Sequence, residues 1–394
     1  MVLRPLSVGD RRAVPPRNWA WRLLTSCARL ESGHTPSRYH PEWWGGQIPW
    51  ISLTDIRELD GKVAQATREY TNETGIANSS ARVLPAGTVV LSRTASVGFV
   101  TIMGREMATS QDFVNWVCGP DLDPRFLAYL FRTSRAYLRN LSSGAIHQTI
   151  YMPTVEAFEV CLPDLKEQKR IVSSLDEQIA AVDRARAAAE AQLEAARAFP
   201  EACIRESLRA SPRQRVRLAE CLREVSGGVG PSWSRYPLLG ATRAGIAPAK
   251  EAVGKAPARY KLVDAGTIFY NPMRILLGSI AMVDDSDETG ITSPDYVVFK
   301  PQAGTLHPRW FYYWLRGHEG AAFIKTLARG AVRERMLFRR LTEAEVEAPS
   351  WRSQVVAAEQ MRGAKAAVIR LEEQVTQIEA MPAALLRRAF SGEL

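Results

Sequence analysis

The feature that most constrains this chain is that much of it is written twice. LPAGTVVLSRTASVGFVTI (84–102) and VDAGTIFYNPMRILLGSIAMV (263–283) both carry Ala-Gly-Thr, run into a β-branched strand, cross a polar loop and re-enter an apolar strand. TSQDFVNWV (109–117) is then answered by TSPDYVVFK (292–300), each with Thr-Ser, one variable residue, and Asp-aromatic leading a strand. DPRFLAYLFRTSRAYLRNL (123–141) and HPRWFYYWLRGHEGAAFIKTL (307–327) both start a helix on Pro-Arg-aromatic, proline being suited to the first helical turn. Each copy closes on a glycine-led loop, SGAIHQTIYM or RGAVRERMLF, then a short strand and a proline, Pro163 or Pro349. The openings match more weakly: WRLLTSCARLESG (21–33) against VRLAECLREVSGG (216–228). Corresponding blocks in one order, too long for a solenoid repeat, mean duplication of a whole domain.

Between and after the copies the pattern turns helical. Asp164 with Glu167, and Ser350 with Ser353, are capping signals at the starts of two long helices. Val172, Leu175, Ile179, Val182, Ala189, Leu193 and Ala196 form a coiled-coil seam interrupted only by Arg186. Ala357, Met361, Ala364, Val368, Leu371, Val375 and Ile378 form its partner. A kink or stop is expected at Pro200 and Pro382, with short helical tails beyond.

The fold expected is α+β: two duplicated α/β domains separated by a long antiparallel two-helix coiled coil. The boundaries are 1–163 and 211–349 for the domains, 164–210 and 350–394 for the helices. From Glu167 to Ala198 the first helix spans roughly 48 Å at about 1.5 Å per residue, on the order of one to one and a half turns of B-DNA. A duplicated domain on a ruler of fixed length suits a target with two features at a set separation, and a bipartite DNA site is such a target.

Composition narrows the class without fixing it. Lys and Arg outnumber Asp and Glu by 51 to 42, a net charge of +9 that suits a polyanionic partner without requiring one. The five cysteines are scattered and never form Cys-x-x-Cys, as expected of free thiols in a reducing cytoplasm. The N-terminus lacks the apolar stretch of a signal peptide. The apolar run near Ile275–Val283 is far too short to cross a bilayer, so no membrane role is expected.

Catalysis finds little support. Asn271-Pro272-Met273-Arg274 and Asp123-Pro124-Arg125-Phe126 faintly resemble an adenine-methyltransferase motif, but the first has no aromatic in place and the second begins a helix. The carboxylates of PDLKEQK (163–169) read as helix capping rather than a nuclease metal site. The five histidines have no partners at ligand spacing, and no phosphate-cradling glycine loop exists. The alternative from another class is a coiled-coil protein-interaction scaffold without DNA specificity.

The order domain–helix–domain–helix resembles the specificity (S) subunit of Type I restriction–modification enzymes. The resemblance runs from about Trp19 to Leu394 and rests most on GHTPSRYHPEWWGGQIPWISLTDI, LPDLKEQKRIV and LLRRAFSGEL. It implies a non-catalytic subunit that reads double-stranded DNA, each domain taking one half of a bipartite site. It further implies docking of two adenine-N6 methyltransferase subunits and, in a restriction form, translocase–nuclease subunits. S-adenosylmethionine, ATP and Mg²⁺ are then expected on those partners and no cofactor on this chain. SRTASVG (92–98) departs from the more usual Arg-Gly-containing loop, and the second domain lacks the tryptophan run, as two domains with different half-sites would.

Base reading needs side chains of fixed hydrogen-bond pattern on a rigid frame, and phosphate contact needs Arg or Lys. In the first domain the candidates are Arg93, Thr94, Ser96, Gln111, His147 and Gln148, on segments expected to converge on one face, with Gln47 and Ser52 on the tryptophan frame. In the second they are Asn271, Arg274, Ser293, Arg329, Arg333 and Arg335, with Arg339 and Arg340 extending a basic patch suited to phosphates. Trp43, Trp44 and Trp50 read as frame, with Gly45, Gly46 and Pro49 fixing a turn between strands. Thr54 and Asp55 are polar residues carried by that frame.

Overall fold

The computed structural model describes residues 4–10, 15–142, 148–328 and 335–391. His147, Arg329 and Arg333 lie outside the described residues. The chain divides into two compact units, Met1–Ala187 with Thr376–Leu394, and Ala188–Val375.

The first unit is built on a five-stranded sheet in the spatial order Ala28–Ser32, Phe113–Cys118, Val89–Ser92, Val100–Met103, Val63–Ala64. Its strands alternate: Val89, Leu91, Val100, Ile102, Val114 and Trp116 pack with Phe126, Leu127 and Leu130 of the helix Pro124–Thr133. Val90, Met103 and Phe113 turn to a second apolar cluster with Ile51, Ile56 and Met107. Both faces are covered, so the strands read as unbroken apolar runs.

The second unit repeats this arrangement. Leu222–Glu224, Val297–Pro301, Ile268–Tyr270 and Ile280–Met282 lie in the same spatial order. The register is the same as well: Leu91 opposite Val114 and Val100 corresponds to Tyr270 opposite Val297 and Ile280. Ile268, Tyr270, Ile280, Met282 and Phe299 pack with Trp310 and Phe311 of the helix Pro308–Arg316, while Phe269, Ala281 and Val298 face the other way. The duplication inferred from the sequence is thus a duplication of strand order, pairing and inside–outside pattern.

Two long helices, Leu165–Arg209 and Trp351–Ser391, pack together as a coiled coil. The predicted seam positions are buried or half-buried, and Arg186 is exposed. In the second unit the pairing is antiparallel, since Ile204 and Leu208 share a core with Ala357 and Met361 while Arg197 reaches Glu372 at 2.6 Å. Neither helix stops at its proline, and the expected tails are the last turns of the same helices. Those turns are held from outside: Ile204 and Leu208 enter the core of the second unit, and Leu386 and Phe390 enter that of the first. Phe390 meets Phe126 at 5.1 Å and Trp19 at 6.2 Å between ring centroids, and such burial outweighs the roughly 3 kcal/mol that an interior proline costs.

Each long helix begins with the same buried clamp. Asp164 and Ser350 cap the first turns, accepting from Glu167 N at 2.9 Å and Ser353 N at 3.3 Å. One turn on, Gln168 Nε2 donates to Asp121 O and Pro163 O, both at 3.0 Å, and its Oε1 accepts from Asp123 N at 2.9 Å. Gln354 repeats the pattern on Thr305 O, Pro349 O and His307 N, at 3.1, 2.9 and 2.8 Å. Each amide therefore ties its long helix to the turn that starts the sheet-packed helix.

The second unit adds an ionic lock. Arg309 is buried, pairs with Asp284 and Asp285, and donates to Ala358 O of the second long helix at 3.3 Å. Lys365 of that helix reaches Asp287 at 2.9 Å. Burial opposes ionisation of Asp284, but the Arg309 hydrogen bonds and charge, helped by Lys365, overcome it and hold the carboxyl below the usual range.

Among the described residues no helix is long and apolar enough to cross a membrane. All five cysteines are unpaired, and burial pushes the thiols of Cys118 and Cys161 up to about 12 and that of Cys221 to about 11. Those three thiols stay protonated at neutral pH and make poor nucleophiles.

Two outcomes follow. Gln354→Ala strands a buried carbonyl pair and an amide, so urea unfolding should show a loss of roughly 2–4 kcal/mol; a loss under about 0.5 kcal/mol, the range of a neutral surface change, contradicts the clamp. The stability that ionised Asp284 contributes is complete above the usual carboxylate value of about 4 and disappears as pH falls through the depressed one. The advantage of the native chain over Asp284→Asn, measured by thermal unfolding from pH 6 to pH 2.5, should therefore shrink on the acid side; a constant gap excludes the lock.

Candidate nucleic-acid interface

In the first unit the sheet-end loops that carry most of the candidates meet. The loop leaving Val89–Ser92 receives hydrogen bonds from both neighbours: Arg93 N donates to Asp112 O at 2.9 Å, and Ile150 N donates to Arg93 O at 2.9 Å. Ala95 N donates to Gln148 O at 3.1 Å, and the Thr94 and Thr149 hydroxyls lie 3.3 Å apart. The Arg93 guanidinium completes the junction, donating to Gln111 O at 2.9 Å and Ile150 O at 3.4 Å. Ala95 sits at the turn with φ 59°, a left-handed conformation unfavourable for a residue with a Cβ, and is held there by these bonds.

The candidates thus fall into two kinds. Gln111 and Gln148 are exposed at the junction, Gln111 accepting from the Thr35 hydroxyl. Arg93 is half-buried and braces two loops, Ser96 is buried against Arg57 at 3.3 Å, and Ser52 caps the helix Leu53–Leu59. Ser52 and buried Asp55 form the full capping box, and Asp55 also accepts from Arg68 N at 2.9 Å, so its carboxylate is internal rather than a surface group. Thr54 and Gln47 are exposed.

The tryptophan run is one strand, Trp44–Ile51, and not a turn between strands. Both Trp44 and Ile48 pair with Thr71, so the glycines form a bulge. A Cβ on Gly46 would stand 2.5 Å from Thr71 O, which is why the backbone there has no side chain. Trp44 and Trp50 meet edge to face at 5.0 Å, and Trp50 is buried with its indole N–H on His34 O at 3.2 Å. Arg38 stacks on Trp44 at 3.7 Å and grips Glu69 through both terminal nitrogens. His40 stacks on Trp43 at 4.2 Å, which leaves Tyr39 between two anchored neighbours and 94% exposed. Sequence reasoning took the tryptophans as frame and passed over Arg38 and Tyr39, whose signal was only their place immediately before that frame. An open cleft of about 640 Å³ adjoins them, lined by His34, Thr35, His40, Trp43 and Asn78.

In the second unit the equivalent loop runs from Asn271 to Ser279. Asn271 uses its side chain internally, Oδ1 accepting from Met273 N at 2.9 Å, and Arg274 is exposed. Met336 N donates to Pro272 O at 3.0 Å, bringing exposed Arg335 beside this loop. Ser293 turns the chain as Ser110 does, each hydroxyl accepting from the amide two residues on, at 3.4 and 3.3 Å. The geometry supports recognition through hydrogen-bonding and basic groups on braced loops; among the described residues no group of three or more His, Cys, Asp or Glu is placed to hold a metal.

Removing the brace should loosen the junction: Arg93→Ala is expected to lower hydrogen-exchange protection of the Ala95 and Ile150 amides by about tenfold or more, while the sheet amides keep theirs. Unchanged protection at both would remove Arg93 from that role.

A family model for the Type I restriction modification DNA specificity domain matches residues 16–195. The chain is 28% identical over 162 residues to the Type I restriction enzyme MjaIX specificity subunit of Methanocaldococcus jannaschii, covering 41% of this chain and 38% of that protein. It is 24% identical over 172 residues to the HindI specificity subunit of Haemophilus influenzae, covering 42% and 37%. These alignments span well under half the length of the curated relatives. In fold the likeness extends over nearly the whole chain. The HsdS subunit of Thermoanaerobacter tengcongensis superposes with a TM-score of 0.61 at 17% identity, over 97% of this chain and 99% of that one. A chain from a type I R-M system solved for its complex assembly and conformational transition gives 0.66 at 16% identity, over 97% and 100%. Residues 16–195 thus match the specificity-domain model, and nearly the whole chain shares the fold of these solved structures.

Proposed function

We propose that this chain is the non-catalytic subunit that reads a bipartite DNA site for a Type I restriction–modification complex, each unit taking one half. The observation that carries this is the duplicated sheet, whose four shared strands keep one order and register while the loops at corresponding strand ends hold different side chains. A common frame with divergent loops suits two readings made by one device. The exposed Gln111, Gln148, Arg274 and Arg335 are the proposed contacts, amides for adenine edges and arginines for guanine or phosphate. His147, Gln47, Arg329 and Arg333 belong to the same proposal by their place in the sequence. The remaining candidates, Ser52, Arg93, Thr94, Ser96, Asn271 and Ser293, act by shaping the loops.

The paired helices set the spacer between half-sites and dock two methyltransferase subunits, with translocase–nuclease subunits completing a restriction form. S-adenosylmethionine, ATP and Mg²⁺ belong to those partners, and the complex works in the cytoplasm. A protein-interaction scaffold is the competing reading, and DNA affinity separates the two: a reader that neutralises several phosphates loses affinity steeply as salt rises.

Three results decide the proposal. The isolated chain should transfer no methyl group and cleave no DNA. Sequencing methylated adenines after exchange of the first unit's sheet and loops should show one half-site altered and the other retained; alteration of both, or neither, refutes it. Insertion of one turn in each long helix should widen the unread spacer by roughly one to two base pairs, and an unchanged spacer refutes the ruler.

A further inference from the structure

The loop that in the first unit is polar and braced is, in the second, tipped with apolar side chains. We infer that the Met273–Leu277 turn is a wedge that presses into the base stack of the half-site read by the second unit. This rests on the DNA-reading function proposed above and adds how one half of it works.

Position comes first. The loops 93–99 and 271–279 leave and rejoin corresponding strands: Ser92 N bonds Phe99 O at 2.8 Å, and Asn271 N bonds Ser279 O at 3.3 Å. Whatever surface the first loop serves, the second serves its counterpart. Rigidity comes second. Asn271 Oδ1 accepts from Met273 N at 2.9 Å. Arg274 N bonds Asn271 O at 3.0 Å, Leu277 N bonds Arg274 O at 3.0 Å, and Gly278 N bonds Ile275 O at 2.8 Å. Ile275 is buried beneath the turn as its anchor.

What this turn displays is unusual for a surface. Leu277 is 68% exposed, Met273 and Leu276 each 41%, and Leu337, next to the hydrogen-bonded Met336, 49%. A flexible loop would fold such side chains inward; a closed hydrogen-bonded turn keeps them out, at a cost in water that only a covered state recovers. Basic groups flank it: Arg274 on the turn and Arg335 beside it are exposed, and Arg340 donates to Arg335 O at 3.1 Å, while Arg339 is paired with Glu343. An apolar point flanked by Arg274 and Arg335 matches a polyanion with an apolar interior. Apolar side chains of this kind unstack a base step while cations hold the flanking phosphates. The first unit, with Thr94, Ala95 and Ser96 at the same place, has no such point and reads its half-site without one.

The test uses the full chain on duplexes of its own methylation site, with 2-aminopurine placed in turn at each position of the second half-site except the methylated adenine. Native protein should raise fluorescence at one step. A Met273→Ser, Leu277→Ser double variant, altered only at exposed positions, should abolish that rise and weaken binding roughly tenfold. Its salt slope should not change, because an apolar contact releases no counterions. No rise with native protein, or a rise the variant retains, overturns the wedge. So does a loss of affinity reproduced by replacing thymine with uracil without any unstacking, which assigns the tip to a methyl contact instead. Failure of native protein to bind DNA at any salt is a different result and removes the DNA-reading function itself.

Discussion

Everything distinctive in this molecule depends on two buried glutamines. A primary amide has two donors and an acceptor in a fixed plane, so Gln168 and Gln354 each fix three backbone groups at once. Each joins the first turn of a long helix to the turn that opens the helix covering the sheet. Buried away from water, such a fork has no competing partner, and its loss leaves several groups unsatisfied together. The clamp decides where a long helix leaves its unit.

The far ends of the helices are fixed by apolar packing instead. Phe390 closes the core of the first unit and Leu208 enters that of the second, where Trp310 also donates to Ser207 at 2.8 Å. Each unit is therefore completed by the start of one long helix and the end of the other. This accounts for the continuity of both helices through Pro200 and Pro382, which local propensity opposes.

On this shared frame the two units differ in the loops that join corresponding strands. The sheets keep one register because both faces are buried and a one-residue slip would turn every strand inside out. The loops obey no such constraint. One is laced by Arg93 to neighbouring segments that carry the exposed amides Gln111 and Gln148; the other closes on itself through Asn271 and carries leucine, methionine and arginine. Similar sequence positions thus hold residues with opposite tasks, and Arg93 and Asn271 serve the loops rather than extend from them.

The sequence by itself determined the duplication, the strand and helix blocks and both helical seams, because these follow from periodicity and from caps read within a few residues. It also determined which stretches carry polar candidates. Only the tertiary structure decided which candidates are free to touch anything. Asp55, Ser96 and Arg93 have the chemistry of contact residues, yet Arg68, Arg57 and the carbonyls of Gln111 and Ile150 come from elsewhere in the chain and turn them inward, while Ser52 is taken up by its own helix cap. Tertiary structure likewise made one bulged strand of the tryptophan run and exposed Tyr39 and Leu277. Residue type sets what a side chain can bond, but burial and the backbone groups already within reach decide what it does bond, and those are properties of the folded chain alone.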